Sequence, residues 1–153
     1  STSATNGTYT LTTSLAGDKN VDITGSSTAD GTDVILYSAT TGNNQKFIFR
    51  KSDHGYFTIK SILDSTKVLT VRNNGTANGT AVELRTNADT DSQKWLLFNL
   101  GNEGFGFAPK NAPSLRLEVK DGLTTNLIPI VIGSTDQTLQ PYTKQRFKLT
   151  KVN

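Results

Sequence analysis

The side chains best placed to do chemistry are a carboxylate, a phenol ring and an amide that lie close together in the first third of the chain: Asp22, Tyr37 and Asn44. An aromatic ring packs against the C–H-rich face of a sugar, whereas a carboxylate accepts charge-assisted hydrogen bonds from hydroxyls. An amide both donates and accepts hydrogen bonds. These residue types therefore indicate a site that binds a polar, ring-shaped molecule such as a sugar.

The same sequence gives little support to catalysis or to metal binding. It contains no Cys and a single His, His54, which lies in a turn and is expected to be solvated. A nucleophilic triad and a zinc–thiolate site are thereby excluded. The 13 acidic residues are spread widely, and a glycosidase would need two facing carboxylates. Asp30 and Asp33 are interpreted as turn formers. We expect a non-enzymatic protein with no cofactor and no metal.

Three copies of one repeat organise the chain. A Gln-x-aromatic triplet occurs at Gln45–Phe47, Gln93–Trp95 and Gln145–Phe147, so the glutamines are 48 and 52 residues apart. Shifting the chain by 48 residues places apolar residues on apolar residues, for example Val21 on Leu69 and then on Leu117. These positions are predicted to form a shared core, which includes the sole Trp, Trp95. If Val21 and Ile23 point into this core, strand alternation presents Asp22 on the exterior side, together with Tyr37.

Each copy offers four short strand-like stretches, which in the first copy are Tyr9–Thr12, Asn20–Ile23, Asp33–Tyr37 and Lys46–Arg50. The chain is rich in turn and strand formers, with 24 Thr, 12 Ser, 13 Asn and 13 Gly. Since one copy cannot bury its own apolar face, closing three copies into a barrel removes the sheet edges. We predict an all-β fold, a β-trefoil of twelve strands in three pseudo-threefold repeats. A three-bladed propeller is the alternative, although propellers usually need at least four blades.

The predicted domain spans residues 7–153, with repeats at 7–54, 55–103 and 104–153, after a flexible leader at 1–6. The chain has no Met, even at residue 1, which indicates a processed chain or an excised domain. No apolar run approaches the length of a membrane helix, so no membrane insertion is expected. The net charge is +3 with scattered Lys and Arg, which does not favour nucleic acid as a partner.

With three Gln-x-aromatic triplets on matching repeats, the chain resembles the ricin-B-type (QxW) β-trefoil lectins and the family 13 carbohydrate-binding modules, from about Gly7 to Val152. Two of the aromatics are Phe instead of the commoner Trp. The resemblance implies a lectin or module that recognises terminal galactose or N-acetylgalactosamine through Asp22, Tyr37 and Asn44. Asp30-Gly31 matches the family's Asn-Gly turn, and Ile35 replaces a Gln that often supplies one further polar contact. The triplet glutamines are expected to be buried scaffold, and Gln45 is also a candidate ligand contact.

The corresponding residues differ in the other two copies. Thr70, Arg85 and Ser92 provide neither a carboxylate nor a ring, so the second copy is expected to be silent. The third copy has Glu118, Gly133 and Lys144 at these positions. Its longer loop carries Tyr142, which makes Glu118 and Tyr142 a candidate for a weak second site.

The expected partners are galactose-containing glycans or glycoconjugates, bound by a secreted or extracellular protein. The chain is a candidate lectin part of a larger toxin, haemagglutinin or glycan hydrolase. One alternative is a protein-interaction trefoil, either a protease inhibitor or a structural subunit, without a sugar site. Another is a heparin-like polyanion binder, for which binding would depend steeply on salt.

Overall fold

The computed structural model describes residues 6–136 and 141–152. Within these residues the chain forms twelve β-strands and eight 3-10 helices of one turn each. The strands are β1 Gly7–Thr13, β2 Lys19–Ile23, β3 Thr32–Ser38, β4 Phe47–Lys51, β5 Phe57–Ser61, β6 Asp64–Val71, β7 Val82–Thr86, β8 Trp95–Asn99, β9 Phe105–Pro109, β10 Leu115–Val119, β11 Ile130–Ser134 and β12 Phe147–Lys151. The 3-10 helices are Thr24–Ser26, Asn43–Gln45, Asp53–Gly55, Arg72–Asn74, Asp91–Gln93, Gly101–Glu103, Lys120–Gly122 and Thr143–Gln145. None of the helices in the described part of the chain has the length and apolarity needed to cross a membrane.

Six of the strands close into a barrel. Strand β1 pairs with β12 and β4, β5 pairs with β4 and β8, and β9 pairs with β8 and β12, so the ring has no free edge. The other six strands form the hairpins β2–β3, β6–β7 and β10–β11, one from each repeat. This arrangement confirms the predicted β-trefoil and excludes the propeller, because propeller blades do not share a closed barrel.

The core has the composition that the repeat predicted. Val21, Leu69 and Leu117 are fully buried, and so is Trp95, whose indole N–H donates to the Leu69 carbonyl over 3.2 Å. Aromatic side chains from several strands meet edge to face, as Phe107 and Phe147 do with ring centroids 6.0 Å apart. Such pairs add to the stabilisation that comes from apolar burial.

One side chain in each repeat ties its hairpin to the hairpin of another repeat. The three acceptors are Asp30 Oδ1, Asn78 Oδ1 and Asn126 Oδ1, which receive the backbone N–H of Thr86 (2.7 Å), Ser134 (3.0 Å) and Ser38 (2.9 Å), respectively. Asp30 thus caps a strand of the second repeat, a longer-range role than the turn former predicted from the sequence. The three hairpins are fixed relative to one another by the same contact used three times.

The N-terminal part of the predicted leader, residues 1–5, lies outside the described residues. Asn6 is described, and its Oδ1 accepts a hydrogen bond from Lys51 N over 2.7 Å. Strand β1 begins at Gly7, two residues before the predicted start at Tyr9. The extra residues Gly7 and Thr8 pair with β4, a contact between distant parts of the chain that no local pattern reports.

Candidate functional site

The β2–β3 hairpin carries two of the three predicted site residues. Asp22 lies opposite Ile35 in the hairpin, and Tyr37 lies opposite Asn20. Because successive side chains of a strand alternate between faces, Asp22 points away from the core side chains Val21 and Ile23, as predicted. It is nevertheless only 3% exposed. The expectation of a carboxylate presented on an open exterior side is therefore corrected: the turn before β4 folds over Asp22.

Gln45 holds the Asp22 carboxylate in place. Its Nε2 donates to Asp22 Oδ2 (2.8 Å) and to the Ser38 carbonyl (2.9 Å). Its Oε1 accepts from Thr40 N (2.9 Å) and from Asn20 Nδ2 (3.1 Å). All four hydrogen-bonding positions of this amide are occupied by protein groups. Gln45 is thus buried scaffold, as predicted for the triplet glutamines, and these bonds leave no polar position of its amide for the direct ligand contact that was its second predicted role.

Asn44 contacts the same carboxylate from the open side. Its Nδ2 lies 3.2 Å from each of the two Asp22 carboxylate oxygens. Burial raises the pKa of Asp22, and the hydrogen bonds from Gln45 and Asn44 lower it and offset part of this effect. Among the described residues no Lys or Arg forms an ion pair with Asp22. The result is a desolvated acceptor that is held by neutral donors.

A hollow of about 380 Å³ opens over this carboxylate. Its volume is within the range of small-molecule sites, about 300–1,000 Å³. Tyr37, a residue that is 38% exposed, forms one of its walls. The lining residues are Asp22, Thr24, Gly25, Ile35, Tyr37, Thr40, Asn44 and Leu127. The structure therefore brings the three predicted residues of the first repeat together.

Sequence reasoning missed Leu127, which comes from the third repeat. The signal that could have found it is in the repeat alignment, where shifts of 48 residues place Gly31 on Gly79 and Gly79 on Leu127. Two of the three copies have glycine at this turn position, so a leucine in the third copy is a signal that the side chain has a role of its own.

In the second repeat the triplet glutamine makes the same kind of contact as Gln45, but its partner is a threonine instead of a carboxylate. Gln93 Nε2 donates to Thr70 Oγ1 (3.2 Å) and to the Thr86 carbonyl (2.9 Å). The hollow above Thr70 has a volume of about 160 Å³, less than half that of the first repeat. The Arg85 side chain, at the position of the Tyr37 ring, pairs with Glu83 (Nε to Oε2, 2.6 Å). The lining of this hollow contains neither an aromatic ring nor a carboxylate, and the silence of this copy stays a prediction.

In the third repeat Glu118 replaces Asp22, and its longer side chain places the carboxylate where a side chain at the position of Tyr37 would begin. Glu118 Oε1 accepts from Gln145 Nε2 over 2.9 Å, which preserves the scaffold contact. A Cβ on Gly133, the counterpart of Tyr37, would lie 2.6 Å from Glu118 Cδ. The position of the Glu118 carboxylate therefore leaves no room for a side chain at residue 133. Glu118 and Gly133 together replace Asp22 and Tyr37 of the first repeat.

The candidate second site, Glu118 and Tyr142, is bridged by a lysine. Lys144 Nζ lies 3.6 Å from Glu118 Oε2 and 5.6 Å from the centre of the Tyr142 ring. A hydrogen bond to Asp136 raises the pKa of Tyr142. The two residues are therefore near each other, but the ammonium group of Lys144 lies against the carboxylate that a sugar would need. The part of the Tyr142 loop at 137–140 lies outside the described residues.

The remaining candidate groups lie on the surface. The imidazole of His54 is 78% exposed, with Nδ1 3.2 Å from Asp53 Oδ2, as expected for a solvated turn residue. Asp33, interpreted as a turn former, lies in β3, and its Oδ1 is 2.9 Å from Arg72 Nη2. In residues 6–136 and 141–152 no three His, Asp or Glu side chains converge in a manner that could hold a metal ion.

Comparisons with known proteins agree with this architecture. The model of a family described as "Ricin-type beta-trefoil lectin domain-like" matches residues 43–132. Flavastacin of Elizabethkingia meningoseptica is 97% identical over all 153 residues, and the chain spans 34% of the length of that relative. The solved structure of a designed 3-fold symmetric protein, ThreeFoil, has a TM-score of 0.87 at 27% identity, covering 95% of this chain and 99% of that one. The Rhizoctonia solani agglutinin has a TM-score of 0.85 at 20% identity, with 99% of both chains covered.

Proposed function

This chain belongs to the family of ricin-type β-trefoil lectin domains, and from that premise we propose that it is a non-catalytic module that binds terminal galactose or N-acetylgalactosamine of glycans. The binding site is the hollow of the first repeat, with Asp22 as its central acceptor. Tyr37 is the stacking surface, and Asn44 is the donor and acceptor at the rim.

The observation that carries this proposal is that the Asp22 carboxylate and the half-exposed Tyr37 line the same hollow. Gln45 and Asn44 occupy three of the about four acceptor positions of this carboxylate, and the remaining one, on Oδ1, can accept a charge-assisted hydrogen bond from a sugar hydroxyl. Galactose has an axial 4-hydroxyl, which leaves a patch of C–H groups on its opposite face for the Tyr37 ring. Glucose lacks this division of the ring into a polar and an apolar side, so the same site favours galactose.

The hollow is open, and Ile35 supplies no polar contact. We therefore expect a free monosaccharide to bind with a dissociation constant in the sub-millimolar to millimolar range, where 1 mM corresponds to about −4 kcal/mol. Useful affinity for a surface would come from several sites or several copies acting together.

The chain spans about a third of the flavastacin relative, which supports a role as one part of a longer protein. We propose that the module holds such a protein on galactose-containing glycoconjugates outside the cell, where the remaining part of the chain acts. A toxin, a haemagglutinin and a glycan hydrolase are the kinds of parent protein that would use it.

The test is a titration of isotope-labelled protein with galactose and lactose, followed by NMR, with glucose as the control sugar. We expect shifts confined to Tyr37, Asn44 and the neighbourhood of Asp22. Asp22→Ala should abolish them, and Asp22→Asn, which keeps the shape of the side chain, should do the same. Thr70→Ala removes the counterpart in the second repeat and should bind as the parent chain does.

Normal binding by both Asp22 variants would show that the site is wrongly assigned. Shifts centred on Glu118 and Tyr142 would move the site to the third repeat. If no sugar produced shifts at concentrations on the order of tens of millimolar, the lectin proposal would fail and the protein-interaction trefoil would take its place.

A further inference from the structure

Leu127 combines two unfavourable features. It is 62% exposed although it is apolar, and its φ of 78° lies in the left-handed region that L side chains avoid. Strain of this kind persists where the surrounding structure imposes it, and it is concentrated at binding sites. Leu127 lines the hollow above Asp22, so both features occur at the site proposed for galactose.

The other two repeats avoid the strain at the same position. Gly31 and Gly79 have φ values of 90° and 91°. Their N–H groups donate over 2.8 Å to the carbonyls of Leu84 and Ile132, as that of Leu127 does to Leu36. The backbone contact is therefore the same in all three copies, and it does not need a side chain. The leucine adds an apolar group at the first-repeat hairpin, whereas the corresponding glycines add nothing at the other two.

The backbone around Leu127 is also tied to the backbone on either side of Tyr37. Asn126 Oδ1 accepts from Ser38 N (2.9 Å), and Leu36 N donates to the carbonyl of Ile128 (2.8 Å). Both residues that flank Tyr37 are thus bonded to the residues that flank Leu127. The backbone segment that carries Leu127 is thus already ordered beside Tyr37, so no loop has to be ordered there when a ligand packs on the leucine.

A second hollow, of about 280 Å³, lies on the other flank of Leu127. Ile35 and Leu127 line both hollows, so together they form the ridge between them. The second hollow also contains Pro129 and the exposed ion pair between Asp33 and Arg72 (Oδ1 to Nη2, 2.9 Å). It therefore has an apolar side and a polar side, as a sugar site requires.

We propose that the binding site extends across this ridge and takes a galactose-terminated disaccharide or longer glycan as its ligand. This inference rests on the proposed function. Galactose occupies the hollow above Asp22, and the next sugar unit packs its apolar face on Leu127 and Pro129. The hydroxyls of that second unit face Asp33 and Arg72.

The test compares galactose with lactose, N-acetyllactosamine and galactobiose by isothermal titration or NMR, on the whole chain. Leu127→Ala shortens the ridge, and Leu123→Ala makes the same change at an exposed leucine that lines neither hollow. Asp33→Ala removes a polar group of the second hollow alone. Asp91→Ala is its matched control, an exposed aspartate that pairs with Lys110 over 3.3 Å.

The parent chain should bind at least one of the disaccharides several-fold more tightly than galactose. Leu127→Ala should weaken that disaccharide about fivefold, as expected for the loss of one or two methylene contacts. Asp33→Ala should also weaken it and leave galactose unchanged, and the two control variants should behave as the parent chain does. Thermal unfolding of each variant confirms that the fold is retained.

Equal affinity for galactose and for all three disaccharides would overturn the extended site and leave the galactose site standing. The same conclusion would follow if Leu127→Ala and Asp33→Ala bound the disaccharides as the parent chain does. Absence of binding to every sugar would overturn the proposed function, and the extended site with it.

Discussion

Replacing Gly133 by alanine is expected to destabilise the protein, although the backbone at this glycine is not in the left-handed region. The added Cβ would lie 2.6 Å from Cδ and 2.8 Å from Oε2 of Glu118, and closer still to Oε1. A flexible glutamate could normally move aside at little cost. Here the carboxylate is nearly buried, and it is held by Gln145 Nε2 at 2.9 Å and by Lys144 Nζ at 3.6 Å. The clash must therefore displace a bonded, desolvated group.

We expect a loss of about 1–3 kcal/mol in the free energy of unfolding, the usual cost of overpacking a filled site. The matched control is Gly17→Ala, because a Cβ at Gly17 would meet nothing within 4 Å and its φ is also unstrained. That substitution should leave stability unchanged or raise it by about 0.4–1 kcal/mol through the entropy of the unfolded chain.

The assay is urea unfolding followed by the fluorescence of Trp95, with a double-mutant cycle that includes Glu118→Asp. Shortening the side chain withdraws the carboxylate from Gly133, so the alanine should cost at least about 1 kcal/mol less in the Glu118→Asp background. If Gly133→Ala were as harmless as Gly17→Ala, or if the two changes were additive, the conclusion that Glu118 fills the place of the ring would be refuted.

Three further outcomes follow from the first-repeat site. Because burial raises the pKa of Asp22 above 3.8, the galactoside affinity should begin to fall above that pH as the medium is acidified, and a pH-independent affinity from pH 7 to 4 would exclude Asp22 as the acceptor. Leu127→Gly relieves a backbone strain of about 1–2 kcal/mol and loses only a small apolar contact, so the melting temperature of this variant should not fall. Gly79→Leu introduces the same backbone strain in the second repeat and should lower the melting temperature. A fall for Leu127→Gly without a fall for Gly79→Leu would contradict the strain argument. Gln45→Ala leaves buried groups unpaired and should cost at least about 2 kcal/mol in urea unfolding, an expectation that a loss below 1 kcal/mol would disprove.

The sequence by itself determined the architecture. Apolar residues 48 apart, such as Val21 and Leu69, and the three Gln-x-aromatic triplets predict three equivalent units that must share a core. Each repeat encodes its own strands locally. The alternation of apolar and polar residues within a strand selects the buried face, and the turn residues set the strand ends. The closed barrel then follows from the requirement to pair every edge.

The sequence also selected Asp22, Tyr37 and Asn44, which differ from their counterparts in the other repeats, and the structure places all three around one hollow. It did not determine the environment of Asp22. Strand alternation predicted an outward carboxylate, and the structure buries it under the turn that carries Asn44 and Gln45. Burial depends on what packs over a strand face, which alternation within the strand does not report.

Only the tertiary structure placed Leu127 beside Tyr37. The two residues belong to different repeats and are brought together by contacts of Asn126 and Leu127 with strand β3. The pseudo-threefold closure sets the third repeat against the first, so Leu127 lines a hollow whose other lining residues come from the first repeat. The same closure explains the role of Asp30, a turn residue that caps Thr86 in the second repeat. Such neighbours are fixed by the geometry of the closed barrel, and no spacing within one repeat encodes them.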